Sequence, residues 1–289
     1  MPKRKSENSN PQSNGRGQDE SDDESDLEML DVDFEWFDPQ PQFDFHGLKT
    51  LCRQLFDIDA QLFDLSALVE LILSQPLLGS TVKVDGNETD PYAFLTVLNL
   101  HVHRELPVIK NLTNYLARQA SGHLSKLPDL LSAGSNSQVG LILTERLLNM
   151  PSEISPPMYT MLLEEIQWAL EEKEPYEFTH YLIWSKVYHE VVSTLDAEDA
   201  ERPKKKSKAS KQGMSDEVFY FHPEDEILHK YSLAYGNFEY EIKQDDGASD
   251  ARRVFSEAGI KPMGHLILIE ASRFADAVKA IADYLKPPS

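Results

Sequence analysis

A run of carboxylates near the N-terminus limits which part of this chain can fold. Of the 20 residues from Asp19 to Asp38, 11 are Asp or Glu and none is Lys or Arg. Such a run buries too little apolar surface to offset the conformational entropy that ordering would cost. We therefore predict a disordered acidic tail over residues 1–31 and a folded domain that begins near residue 32.

Five aromatic residues follow the acidic run within a dozen positions. They are Phe34, Trp36, Phe37, Phe43 and Phe45, and rings of this size contribute much of the buried area of a core. The next strong change in composition comes at residues 196–215, where acidic residues give way to a basic run. We expect one domain over residues 32–286, interrupted by a flexible insertion at about 196–215.

The tail does not account for the negative charge of the whole chain, which is -21. From Pro39 onward, with the basic run at 202–211 left out, 37 acidic and 18 basic side chains remain, a balance of -19. A field of this sign attracts basic proteins and repels nucleic acid phosphates and anionic lipids. The charge therefore predicts basic protein partners, with no direct binding of nucleic acid and no membrane binding.

Other sequence features narrow the class of protein further. Cys52 is the single cysteine, so the chain can form neither an internal disulfide nor a zinc site built from cysteines. The N-terminus lacks the apolar segment of a secretion signal, and no apolar run approaches the roughly 20 residues of a membrane span. We expect a soluble intracellular protein.

Hydrophobic periodicity predicts a mixed α+β or α/β domain, because strands and helices alternate without a strict βα pattern. In the longest helix, the predicted apolar side consists of Met158, Met161, Leu162, Ile166, Ala169 and Leu170. The predicted helices are 45–56, 65–75 with Asp64 as N-cap, 107–119, 158–172 and 271–285. The predicted strands are 34–37, 81–84, 93–101, 138–143, 178–187, 217–221, 232–242 and 264–269.

The chain resembles the BCCIP family, whose fungal members are called BCP-type proteins, from about residue 32 to residue 284. The stretches that carry the resemblance are DFEWFDPQPQFDFHGLK (33–49), LSQPLLGSTVKVDGNETDPYAFLTVLNL (73–100) and LILTERLLNMPSEISPPMYTMLLEEIQWAL (141–170). The resemblance implies a GNAT-like fold, a central twisted sheet flanked by helices, without acetyltransferase activity. It also implies a nuclear protein that shuttles with the cytoplasm and acts as the chaperone of one basic ribosomal protein in 60S subunit production. Fungal members are further linked to nuclear export of a lipid kinase, and animal members to cell-cycle and recombination proteins.

The acidic arm is the first candidate partner-binding site, together with Trp36. One interpretation is a solubilising tail; the other is a mimic of rRNA phosphate that shields Lys and Arg on an unassembled ribosomal protein. The acidic body and the family resemblance favour the second. Trp36 belongs either to the edge of the core or to an exposed anchor for a partner. The carboxylates of the arm are Asp19, Glu20, Asp22, Asp23, Glu24, Asp26, Glu28, Asp31 and Asp33.

The basic run within the insertion predicts a nuclear import signal, because importins bind exposed Lys and Arg stretches. The alternatives are a solvated linker and a segment that folds back onto the acidic arm. The residues concerned are Arg202, Lys204, Lys205, Lys206 and Lys208.

The motifs of catalysis are incomplete in this sequence. An acetyl-CoA site needs a Gln/Arg-x-x-Gly-x-Gly/Ala turn at the start of a helix, and the nearest string, from Gln119 to Leu124, ends in Leu and follows a predicted helix. His101 and His103 would face the same side of a strand, but a hydrogen-bonded or exposed pair is favoured over a metal site. We expect no enzyme and no cofactor. The alternatives are an export or cell-cycle adaptor with a non-basic partner and, disfavoured, a GNAT-type acetyltransferase.

Overall fold

The computed structural model describes residues 32–120, 122–132, 134–190, 218–243 and 260–286. The strands in these ranges are β1 (Glu35–Phe37), β2 (Ser80–Lys83), β3 (Ala93–Asn99), β4 (Val139–Arg146), β5 (His180–Glu190), β6 (Val218–Tyr220), β7 (Ala234–Phe238) and β8 (Ile260–Glu270). The α-helices are α1 (Phe45–Phe56), α2 (Leu65–Leu73), α3 (Pro107–Gln119), α4 (Leu127–Leu131), α5 (Ser155–Glu171), α6 (Glu224–Tyr231) and α7 (Ala271–Tyr284).

The described strands form one open sheet in the order β1-β2-β3-β4-β5-β8-β7, and β6 pairs with β5 beside this path. The pairing of β4 with β5 is parallel, whereas the pairs on either side of it are antiparallel. Helices pack on the sheet, so the predicted mixed α/β class is confirmed. Among the described helices none is long and apolar enough to cross a bilayer.

Two apolar clusters lie on opposite faces of the sheet. The first contains side chains from α1, α2 and α3, and the second contains side chains from α5 and α7. Strand β5 supplies both, because its alternate residues point to opposite faces: Trp184 belongs to the first cluster and Ile183 to the second. Strand β5 is therefore buried on both faces over most of its length.

Local sequence signals place several element ends correctly. The carboxylate of Asp64 accepts the backbone N–H groups of Ser66 and Ala67, both at 3.1 Å, which is the predicted N-cap of α2. Helices α1 and α3 have the predicted bounds, and β1, which lies within the predicted strand 34–37, forms one edge of the sheet. The sequence patterns predict no helix over residues 224–231, where the structure has α6.

Two sequence-based expectations are wrong: the end of the strand predicted at 93–101 and the placement of Leu170 on the apolar side of the longest helix. Strand β3 ends at Asn99, because the Asn99 Oδ1 atom accepts the N–H groups of His101 and Val102 at 3.0 and 3.1 Å and so starts a turn. His101 and His103 therefore lie in a turn and not on one side of a strand. Leu170 is exposed and lies away from the buried side of α5.

Strands β4 and β5 separate partway along their length. They pair from Val139–His180 to Leu143–Trp184. Beyond that point β6 pairs with β5, from Val187 to His189, while β8 follows the other side of β5 along its whole length. The segment of β6 and α6 therefore lies at the split between β4 and β5.

Candidate partner-binding surface

The predicted site residues fall largely outside the described residues. This holds for the acidic arm from Asp19 to Asp31 and for the predicted import signal from Arg202 to Lys208. Asp33 is described and exposed. Trp36 is half-buried in β1, is paired in register with Val82, and packs against the apolar cluster beneath α5. Trp36 thus forms part of the edge of the core on the α5 side of the sheet.

An exposed tryptophan lies on α5, on the same side of the sheet. Trp168 is 55% exposed, although its neighbour Ala169 is fully buried. Residues three and four positions apart are neighbours on a helix surface, so Trp168 is bordered by Glu164, Glu171 and Glu172, which are all exposed. We refer to these four side chains as the Trp168 face.

The charges of α5 oppose its helix dipole. Its first turn contains no acidic residue and its last turn contains no basic one. Glu171 and Glu172 lie instead at the C-terminal end, where the helix already carries partial negative charge. Each such carboxylate costs helix stability, so this arrangement is unfavourable for folding but concentrates negative potential beside an exposed ring.

Glu165 connects α5 to the start of β2. Its carboxylate accepts the N–H of Gly79 at 2.8 Å and the hydroxyl of Ser80 at 3.0 Å. Burial raises the pKa of Glu165, and repulsion from Asp38 and Glu164 adds to that rise. Asp38 directly follows β1, so the negative charge at the start of the domain continues onto α5.

A second group of charged side chains is buried at the split between β4 and β5. The Lys186 ammonium lies 2.5 Å from Glu145, and the Arg146 guanidinium donates to both oxygens of Glu224 at 2.5 and 3.1 Å. His222 lies between the two acids, 3.4 Å from Glu145 and 4.0 Å from Glu224. These side chains are at least nine-tenths buried, and their charges are paired with one another.

The pKa values in this buried network follow from burial and pairing. Burial opposes ionisation of Glu145, but Lys186 and His222 outweigh it and lower the pKa of this carboxyl to about 2. Asp225 accepts the hydroxyl of Ser185 at 2.5 Å, and burial raises its pKa to about 7, with Glu224 adding to the rise. The network holds the start of α6 in the split, which is a structural role.

The described residues hold neither a metal centre nor a coenzyme A turn. No group of three or more His, Cys, Asp or Glu side chains in the described ranges is placed to bind a metal. His229 and His265 form a pair with their Nε2 atoms 2.8 Å apart. The string from Gln119 to Leu124 begins at the last residue of α3, and Gly122 begins a short 3-10 turn. The string therefore does not follow a strand, as a pyrophosphate-binding turn at a helix start would.

A surface pocket of about 320 Å³ opens beside α3. Its rim includes His101, Arg104, Glu105 and Lys110. Glu105 lies 3.6 Å from Arg104 and 3.8 Å from Lys110, so the two cations on the rim share one carboxylate. The pocket lacks a group of polar side chains that converge on a reacting atom.

The fold and these surfaces define an acidic α/β protein with a buried charge network and an exposed aromatic helix face.

The BCCIP family model matches residues 29–228. Protein bcp1 of Aspergillus fumigatus is 60% identical over 278 residues, which cover 95% of this chain and 94% of that protein. Protein bcp1 of Schizosaccharomyces pombe is 51% identical over 262 residues, which cover 89% and 91% of the two chains. The crystal structure of BCP1 from Saccharomyces cerevisiae matches with a TM-score of 0.61 and 25% identity, over 93% of this chain and 97% of that one. The chain belongs to the BCCIP family, and the predicted resemblance is confirmed.

The Trp168 face and the buried network are absent from the sequence-based predictions. The predicted apolar side of the longest helix omits Trp168, and that omission is the available signal for an exposed tryptophan. Lys186 gives a second signal, because a lysine within the apolar run of β5 needs a buried partner. Its partner Glu145 was not predictable, since it comes from another strand.

Proposed function

We propose that this protein is a non-enzymatic chaperone that holds a basic ribosomal protein of the large subunit soluble and accompanies it to 60S assembly in the nucleus. The observation that carries the proposal is the Trp168 face, where an exposed ring lies among three exposed carboxylates. The balance of -19 outside the first 38 residues and the basic run supports a basic client. Membership of the BCCIP family is consistent with this role.

The proposed mechanism combines charge neutralisation with apolar contact. Carboxylates of the arm and the domain pair with Lys and Arg side chains of the client. Each exposed pair contributes only about 0.2–1 kcal/mol, so binding depends on many such pairs and on long-range electrostatic attraction of the client. Apolar contact with the domain adds affinity. The client is released when rRNA phosphates outcompete the carboxylates. The basic residues Arg202 to Lys208 bind an importin, and the protein shuttles between nucleus and cytoplasm.

The buried network supports a non-enzymatic role. The split between β4 and β5 is held by ion pairs that involve Arg146, Lys186 and Glu224, so these charges are not available to a substrate. The Cys52 thiol is buried, and burial raises its pKa, which disfavours the nucleophilic thiolate. Calorimetry with acetyl-CoA tests this part of the proposal, and saturable binding would overturn it.

Affinity purification from a nuclear extract with mass spectrometry tests the client. We expect the full chain to enrich a basic large-subunit ribosomal protein, and a variant that starts at Val32 to enrich less of it. The bound fraction should fall steeply between low and moderate salt, because the exposed charges are screened. Enrichment of no ribosomal protein by either chain would refute the proposal. Binding that does not depend on salt would favour an export or cell-cycle adaptor with a non-basic partner.

A further inference from the structure

We propose that the Trp168 face is the docking site for an arginine-rich segment of the partner protein, with the Trp168 ring as the surface on which a guanidinium group stacks. This inference rests on the proposed function and deepens it, because it specifies where on the domain the basic partner binds. The site combines an apolar ring, which supplies contact area, with a border of carboxylates, which supplies charge.

Exposure of Trp168 alone carries little weight, since single apolar residues are common on protein surfaces. The contrast with the other two tryptophans is more informative. Trp184 is fully buried and stacks on Tyr115 at a centroid distance of 5.4 Å, and Trp36 is half-buried against the core. Trp168 instead presents its ring to solvent on a helix whose opposite side is fully packed.

The charged residues around the Trp168 ring favour binding of a cation. Glu164 lies four positions before Trp168, and Glu171 and Glu172 lie three and four positions after it. Lys173 is the only basic residue from Glu164 to Glu177, against six acidic ones. The indole ring attracts a cation to its face. Arginine fits both features, because its planar guanidinium stacks on an aromatic ring and donates to carboxylates at the same time.

The position of the face also brings a further carboxylate of the domain within reach of a bound basic segment. The carboxylate of Glu165 on α5 accepts the N–H of Gly79 and the hydroxyl of Ser80. Thr81, the next residue of β2, pairs with Phe37 at the end of β1, and Asp38 follows directly. A basic segment that continues from Trp168 toward β1 meets a further exposed carboxylate, that of Asp38. Charge complementarity thus extends from α5 to the end of β1.

The test uses the full chain and a synthetic peptide of about 12 residues with alternating Arg and Gly. Binding is followed by tryptophan fluorescence in a Trp36→Phe background, where Trp168 is the exposed reporter and Trp184 is buried. We expect Trp168→Ala to weaken peptide binding, measured by calorimetry, by about fivefold or more, and Trp168→Phe to restore part of it. A peptide with Lys in place of Arg should bind more weakly to the wild type and lose less on Trp168→Ala.

A charge-matched control separates a local effect from the general field. Glu164→Gln, Glu171→Gln and Glu172→Gln are combined in one variant. The control combines Glu70→Gln, Glu88→Gln and Asp129→Asn, which remove the same charge from exposed positions on other elements. If peptide binding weakens in the first variant and not in the control, the result supports docking at the Trp168 face. Equal weakening in both variants would overturn it.

The basic run of the chain itself is the competing occupant. Lys204→Ala, Lys205→Ala and Lys206→Ala are combined, and acrylamide quenching of Trp168 is compared with that of the wild type. Unchanged quenching supports a face that is free for a partner, whereas increased quenching would show that the chain's own basic run covers it. Unchanged capture of the ribosomal client by Trp168→Ala would overturn this inference and leave the proposed function standing, whereas absence of any client in the wild type would overturn the proposed function and, with it, the assignment of this partner to the Trp168 face.

Discussion

The ammonium group of Lys186 lies 2.5 Å from the Oε2 atom of Glu145, with both side chains almost completely buried where β4 and β5 separate. Lys186 Nζ also donates to the backbone carbonyl of Gln54 on α1 at 3.0 Å. One lysine therefore links two strands and a helix. An ion pair of this kind need not contribute net stability, but removal of one partner leaves an uncompensated buried charge.

The first prediction concerns this pair. We expect Lys186→Met to lower the free energy of unfolding by about 3–5 kcal/mol, because the Glu145 carboxylate loses its nearest cation. The combination of Lys186→Met with Glu145→Leu should recover much of that loss. Urea denaturation of the two variants measures both effects. The exposed pair of Lys286 and Asp283 is the control, and Lys286→Ala should cost less than about 1 kcal/mol. A single variant as stable as the wild type would contradict the ion pair.

The second prediction concerns pH. Burial raises the pKa of Asp225 from 3.8 to about 7, so the folded state holds the proton more tightly than the unfolded state does. Its favourable contribution is complete below pH 3.8 and is lost as the pH rises to about 7. Asp225→Asn keeps an acceptor for the Ser185 hydroxyl and removes the titration. The variant should therefore be more stable than the wild type at pH 8 by about 1–4 kcal/mol, because a tenfold difference in proton affinity between the folded and unfolded states corresponds to about 1.4 kcal/mol.

The stability difference between Asp225→Asn and the wild type should shrink as the pH falls from 8 to 5. His222, Glu224 and Arg146 also act on Asp225, so the comparison is made at matched pH by urea denaturation of both proteins. Asp276→Asn, which removes a carboxylate from an exposed position on α7, is the matched control. A variant that is less stable than the wild type at pH 8 would contradict the raised pKa.

The fold was largely predictable where local signals decide it. The bounds of α1 and α3 follow from apolar spacing and, for α3, from Pro107 at its first turn. The end of β3 was not predictable from apolar content, because the Asn99 side chain competes with the strand for backbone N–H groups. Helix α6 was not predictable because its start is held by Glu224, whose partner Arg146 lies 78 residues away in the chain.

The charge of the candidate site could be predicted from the sequence, but its location on the fold could not. The acidic body beyond Pro39 is visible in the sequence, and it predicts a basic partner. The exposure of Trp168 depends on how α5 packs, since neighbours that differ by one position, such as Trp168 and Ala169, face opposite environments. Such a difference is set by tertiary packing, which the sequence pattern does not specify.

The third prediction concerns close packing between β7 and β8. A Cβ atom at Gly264 would overlap the Phe238 ring, and Phe238 is buried. Gly264→Ala should therefore lower the free energy of unfolding by about 1–3 kcal/mol. Gly134→Ala is the control, because a Cβ there meets no atom within 4 Å. Thermal unfolding compares the two, and equal midpoints would contradict the packing of Phe238 on Gly264.

The last prediction concerns substitutions on α5 that should raise folding stability and weaken partner binding. Glu171 lies in the last turn of this helix and Glu172 directly follows it, so Lys at either position should raise the free energy of unfolding by about 0.3–1 kcal/mol through the helix dipole. The same changes reverse two charges next to Trp168 and should weaken binding of the arginine-rich peptide. Urea denaturation and calorimetry on Glu171→Lys/Glu172→Lys measure the two effects. A variant that is both more stable and an equally good binder would contradict the proposed docking role of Glu171 and Glu172, because the two carboxylates would then cost helix stability without contributing to partner binding.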